Sequence, residues 1–245
     1  MKIVDKRRDI EIAKNKEDAI DFSVRHFLNL AKLSIEESGR FTVALSGGST
    51  PKEIYKRLSL TKDEIDWSKV WLFWSDERGV PPTDQDSNYH MAMEAGLGLL
   101  PIPKNQIFRM EAERNIQEMA DRYDSFIEKN LGPDLFDLIM LGMGEDGHTA
   151  SLFPGTKALD VKNRAVVANY IKSKDSWRMT LTLDCINNSK NICFYVIGGA
   201  KKEMLKRILF PKSEADHLPA YHVGSEETKA LWIVDVDAAP KLDLD

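Results

Sequence analysis

The chain has 245 residues, 42% of them hydrophobic, enough for one large domain or two small ones with a packed core. A net charge of -5 argues against a nucleic-acid binder, which needs a basic face. No apolar run approaches the roughly 18 residues that span a bilayer, no signal-peptide h-region opens the chain, and Cys185 and Cys193 are too few for a disulfide framework and lack zinc spacing, so a reduced, cytoplasmic protein is expected.

The predicted elements follow in chain order. The basic run Lys6-Arg7-Arg8 reads as a solvated edge. Asn15 opens a helix in which Ile20, Val24, Phe27, Leu28, Ala31 and Ile35 recur at helical spacing, and Gly39 stops it. Phe41–Leu45 is a buried strand, and Pro51 opens the next helix. Further buried strands are expected at Val70–Trp74, Phe136–Leu141, Asn191–Ile197 and Leu231–Val234. Helical stretches are expected around 86–97, 113–130 and 200–209. The stretch 160–190 is ambiguous, with an extra strand at Arg178–Leu183 as one reading. Strands alternating with helices, and lacking polar alternation, predict an α/β fold: a mostly parallel sheet with helices on both faces, in one domain over 1–245. Ligands of such sheets bind beyond the carboxyl ends of the strands, so the loops after the strands carry the interest.

Three loops stand out. Ser46-Gly47-Gly48-Ser49-Thr50 precedes Pro51, with Glu53 three residues after Thr50. That is a capping-box pattern, and a helix N-terminus suits a phosphate. The loop lacks the Walker lysine and is not GxGxxG, so no nucleotide is implied, and an ordinary strand-to-helix turn is the alternative. Ser75-Asp76-Glu77-Arg78 follows the second strand. Arg78 can grip a phosphate or carboxylate bidentately, and Asp76 can orient a base or accept a substrate hydroxyl; a solvated charged turn is the alternative. Gly142-Met-Gly-Glu-Asp-Gly-His148 follows the third strand and is the chain's most glycine-dense loop. His148, two residues after Asp146, is a plausible general base, with Asp146 or Glu145 fixing its tautomer. His26, His90, His217 and His222 carry less, no metal-ligand spacing is present, and Ser46 and Ser49 do not form a GxSxG elbow.

Together these motifs resemble the glucosamine-6-phosphate isomerase/6-phosphogluconolactonase family. The resemblance runs from Ala44-Leu-Ser-Gly-Gly-Ser-Thr-Pro51 through Trp74-Ser-Asp-Glu-Arg78 and Ser87-Asn-Tyr89 to Gly142–Pro154, and on to Arg178 and Lys201. It implies a Rossmann-like, sugar-phosphate isomerase-like fold. It also implies hydrolysis of a phosphorylated sugar lactone without cofactor or metal, in a protein with no nucleic-acid or membrane partner; a monomer is expected. By resemblance His148 is the base and Arg78 holds the substrate near the developing oxyanion, with Asp146 and Asp76 kept as catalytic candidates from the loop chemistry above. Ser46, Gly47, Gly48, Ser49, Thr50, Arg178 and Lys201 hold the phosphate. An amino-sugar-phosphate deaminase and a non-catalytic sugar-phosphate sensor are the alternatives. Against the deaminase, that family carries a carboxylate where this chain has Phe153.

Overall fold

The computed structural model describes residues 2–132, 135–213 and 218–239; His217 lies outside them. Ten strands are described: β1 (Lys2–Ile3), β2 (Arg8–Ala13), β3 (Phe41–Leu45), β4 (Val70–Trp74), β5 (Asp76–Arg78), β6 (Leu138–Leu141), β7 (Val166–Ile171), β8 (Ser176–Leu181), β9 (Ile192–Val196) and β10 (Ala230–Asp235). Six α-helices join them: α1 (Lys16–Ser38), α2 (Ser49–Leu58), α3 (Asn88–Glu94), α4 (Ile116–Leu131), α5 (Leu183–Asn187) and α6 (Lys202–Leu209).

The main sheet has the order β1-β2-β10-β9-β6-β3-β4, parallel except for β1. Its strands β3, β4, β6 and β9 read as largely apolar runs because both faces are covered. Successive residues feed two cores. Val43, Leu45, Leu72, Trp74 and Met140 pack with α1 and α2 on one face. Ala44, Phe73, Ile139, Leu141 and Phe194 pack with α4 and the second sheet on the other. α1 is fixed at both ends: Asn15 Oδ1 accepts from Asp18 N at 2.9 Å, and Gly39 N donates to Ile35 O at 2.9 Å.

From β3 the chain moves out to β4 at the sheet edge, then returns to β6 on the other side of β3. Connections leave β3 and β6 in opposite directions, which opens a crevice at their carboxyl ends. The loops after β3, β4, β6 and β9 all end there.

Three readings of the sequence are corrected. Arg7 and Arg8 are not a solvated edge, because β2 lies inside the sheet between β1 and β10. Arg8 is buried and donates to Ile208 O, Arg7 donates to Gly224 O at 2.9 Å, and both guanidiniums stack on Tyr221. α2 begins at Ser49 rather than Pro51; Gly48 is its N-cap, and no side chain caps it. The ambiguous stretch 160–190 supplies β7 and β8, which pair antiparallel and join β5 in a separate three-stranded sheet.

Candidate active site

All eleven residues singled out from the sequence line one cleft of about 690 Å³. The first loop, Ser46–Gly48, is pinned from below by Tyr55 of α2. Its hydroxyl accepts from Ser46 N at 3.0 Å and donates to Ser46 O at 2.8 Å. Gly48 has φ +105°, a conformation that disfavours side chains, and turns the strand into α2. With no capping side chain, the amides of Ser49 and Thr50 remain available at the positive end of a ten-residue helix. Such an end suits an anion.

The second loop is β5 itself. Strand alternation puts Asp76 and Arg78 on one face and Glu77 on the other. Glu77 is buried, accepts from the backbone N–H groups of Arg78, Asn88 and Tyr89 at 2.7–2.8 Å and from Ser87 Oγ at 3.0 Å, and so anchors the start of α3. Burial pushes its carboxyl above the usual range, against those hydrogen bonds. Asp76 is also buried: Oδ1 accepts from Asn88 Nδ2 at 3.0 Å and Oδ2 from Ser151 Oγ at 2.7 Å. Its carboxylate therefore joins the second loop to the third, while the imidazole of His148 is met by Asp146.

β5 and β8 place Arg78 directly opposite Arg178. Cross-strand neighbours share a face, so two guanidiniums stand side by side. Arg78 donates to Asp86 O, and Nε of both arginines is buried without a hydrogen-bond partner. Burial first, and then the neighbouring Arg78 charge, lower the pKa of Arg178 from its usual value. Two adjacent cations short of acceptors make a strong anion site. Lys201, in the turn after β9, and Lys174, in the β7–β8 connection, add two more cations to the cleft. The cleft thus gathers four cations, beside the carboxylates of Asp76, Glu145 and Asp146, in a chain of net charge -5.

The third loop presents His148. Its Nδ1 is hydrogen-bonded to Asp146 Oδ1, and its backbone N–H reaches the same oxygen at 3.2 Å. An ionised carboxylate only accepts, so Nδ1 carries a proton, and the neutral ring then has its lone pair on Nε2. Burial of Asp146 opposes ionisation, but the hydrogen bond and charge of His148 outweigh it and hold the carboxyl below its usual value. Phe153 stacks on the imidazole, with centroids 4.0 Å apart and planes 14° apart. Glycine at 144 leaves room for the imidazole in this position, since a Cβ would fall 2.1 Å from His148 Nδ1 and displace it.

Phe153, Ser151, Asn88, Lys174 and Tyr195 were not picked out as site residues from the sequence. Asn88 lies within the Ser87-Asn-Tyr89 motif, and Ser151 and Phe153 within Gly142–Pro154, so those motifs are the signal that could have found them. Among the described residues the other histidines lie elsewhere: His26 stacks on Phe22, His90 faces Glu94 at 3.4 Å, and His222 is exposed. A second concavity of about 640 Å³ lies between α3 and α4. Its Arg109 and Arg122 are already paired with Glu113 and Glu118, and none of the three loops reaches it. Among the described residues, no cluster of His, Cys, Asp and Glu could hold a metal, and no helix is long and apolar enough to cross a membrane.

Residues 14–232 match the family model for glucosamine-6-phosphate isomerases/6-phosphogluconolactonase. The chain belongs to this family. A Chlamydia pneumoniae protein named 6-phosphogluconolactonase is 42% identical over 228 residues, spanning 92% of this chain and 87% of that protein. A Synechocystis protein of the same name is 34% identical, spanning 95% and 98%. The solved 6-phosphogluconolactonase of Trypanosoma cruzi superposes with a TM-score of 0.86 at 26% identity, covering 99% of this chain and 98% of that one. A monomeric glucosamine-6-phosphate deaminase superposes with a TM-score of 0.80, covering 94% and 98%, but at 18% identity that likeness extends to the fold alone. The mostly parallel α/β architecture is therefore the family's own.

Proposed function

We propose that the chain is a 6-phosphogluconolactonase, hydrolysing 6-phospho-D-glucono-1,5-lactone to 6-phosphogluconate in the oxidative pentose phosphate pathway of the cytoplasm. The observation that carries this reading is the pairing, in one cleft, of a histidine with a free Nε2 and a cluster of unsatisfied cations. The names borne by the curated relatives support it.

In this reading the 6-phosphate rests on the α2 N-terminus, between Arg178 and Lys201, with the Gly47–Thr50 backbone beneath it. That places the lactone carbonyl by the third loop. Neutral His148 takes a proton through Nε2 from a water as the water oxygen bonds to C1. The carbonyl electrons move onto its oxygen, and Arg78 offsets the negative charge. The tetrahedral intermediate collapses, the bond from C1 to the ring oxygen breaks, and the imidazolium returns its proton to that oxygen. The product is an open-chain hydroxy acid that ionises at neutral pH. Asp146 keeps the proton on Nδ1 and stabilises the transient imidazolium. No cofactor enters these steps, and one chain supplies every residue named, so a monomer suffices.

The test runs two assays on one preparation: lactone hydrolysis corrected for spontaneous decay, and ammonia release from glucosamine 6-phosphate. Hydrolysis well above background without ammonia is expected. His148→Asn should lower kcat by about 10²–10⁴, the usual worth of general acid–base catalysis. Ammonia release with lactone decaying only at the spontaneous rate would overturn the assignment.

A further inference from the structure

We propose that Phe153 is a positioning residue for His148: its ring covers one face of the imidazole and fixes the plane in which Nε2 addresses the cleft. The proposal rests on the reading of His148 as the base.

An imidazole anchored at one nitrogen is not fully placed. The terminal torsion of histidine is broad, so the ring can swing about its hydrogen bond. The anchor here is a neighbour on the same loop, and the Asp146 side chain is 48% exposed. Phe153, in contrast, is buried and lies nearly parallel to the imidazole at 4.0 Å. A flat ring at that distance blocks rotation out of plane and keeps water from that face.

The chain goes to some length to bring Phe153 back over His148. Between them it reverses direction, with Leu152 N donating to Thr149 O at 2.9 Å. The reversal puts Ala150 at φ +47°, a left-handed conformation that costs a side-chain-bearing residue energy. Four hydrogen bonds hold it there. Thr149 Oγ1 donates to Gly142 O at 2.9 Å, Ser151 N to Thr180 Oγ1 at 3.1 Å, Ser151 Oγ to Asp76 Oδ2 at 2.7 Å, and Asn169 Nδ2 to Ser151 O at 2.9 Å. Leu152 points into the core, whereas Phe153 lines the cleft, so filling the interior does not account for Phe153. The same network gives the buried Asp76 carboxylate a place in the argument: it acts on His148 through Ser151 and the turn, without touching the imidazole.

The test compares Phe153→Leu, which is apolar but lacks a flat face, with Phe153→Tyr, which keeps one. Proton NMR follows the His148 Cε1–H, identified by its loss in His148→Asn, and steady-state kinetics and thermal denaturation run in parallel. In the wild type the stacked ring should displace that resonance upfield. Phe153→Leu should return it toward the free-imidazole position and lower kcat about tenfold or more, with KM little changed, as a misplaced catalytic group does. Phe153→Tyr should restore both the resonance and most of the turnover. An unmoved resonance with wild-type kcat in Phe153→Leu would overturn the proposal, as would a loss of turnover that tracks melting temperature and is not rescued by tyrosine. A resonance that moves while His148→Asn keeps wild-type turnover would support the positioning contact and refute the base.

Discussion

Replacing Gly144 with alanine strikes the candidate base without altering its side chain. A Cβ built on Gly144 lies 2.1 Å from His148 Nδ1, 2.2 Å from Cε1 and 2.7 Å from Asp146 Oδ1, where ordinary contacts are 3.4–4 Å. The imidazole must therefore retreat by roughly an ångström or more, and Phe153 stands against one of its faces. The hydrogen bond to Asp146 or the stack has to give. A misplacement of about 1 Å costs on the order of 10²-fold in rate, and complete loss of the base about 10²–10⁴-fold. At about 1.36 kcal/mol per factor of ten, the barrier should rise by roughly 3–5 kcal/mol. Gly144 is not among the glycines of positive φ, so its backbone accepts alanine. The fold should then persist, with the melting temperature lowered by no more than Asp146→Asn lowers it and product affinity little changed. Lactone hydrolysis by stopped-time assay, corrected for spontaneous decay, reads the effect. Wild-type kcat in a folded Gly144→Ala protein would refute the reasoning, because it would mean that catalysis does not need His148 where the structure holds it.

Three further outcomes are expected. Charge-assisted hydrogen bonds are worth about 1.5–3 kcal/mol, so Arg178→Ala should weaken 6-phosphogluconate binding by about one to two powers of ten in calorimetry, with inorganic phosphate weakened in parallel. The Asp146 carboxyl is held below its ordinary value of 3.8, so its pairing with His148 contributes stability above that pH and loses it as pH falls through the lowered pKa. The difference in melting temperature between wild type and Asp146→Asn should be present at pH 5 and close in stronger acid; a gap that widens in acid would contradict the pairing. Glu77→Gln turns an amide NH₂ toward one pair of donors, either Arg78 N and Asn88 N or Ser87 Oγ and Tyr89 N, which should cost about 1–3 kcal/mol and lower the melting temperature by several degrees in a scanning calorimeter.

What the sequence determined by itself was whatever local patterning encodes. The strands Phe41–Leu45 and Val70–Trp74 were legible to the residue because a parallel strand covered on both faces must be apolar throughout. The loops that follow those strands were legible for the same reason, and their glycines and charges gave the candidate site. β2 was not, because the basic run Lys6-Arg7-Arg8 at its start looks like a solvated edge until Arg8 is seen buried under Tyr221. The capping box at Thr50 was a false local signal, overridden when Gly48 turned the chain one residue before Ser49. The decisive contacts of the cleft lie further beyond local pattern. Arg78 meets Arg178 across 100 residues only because β5 and β8 leave the main sheet and pair with each other. Ser151 reaches Asp76 across 75 residues. Phe153 meets His148 through a reversal that hinges on a left-handed alanine, which no propensity would assign. Residue types and periodicity fix which chemistry is available; strand pairing and loop closure decide which groups stand next to one another, because both depend on partners distant in the chain.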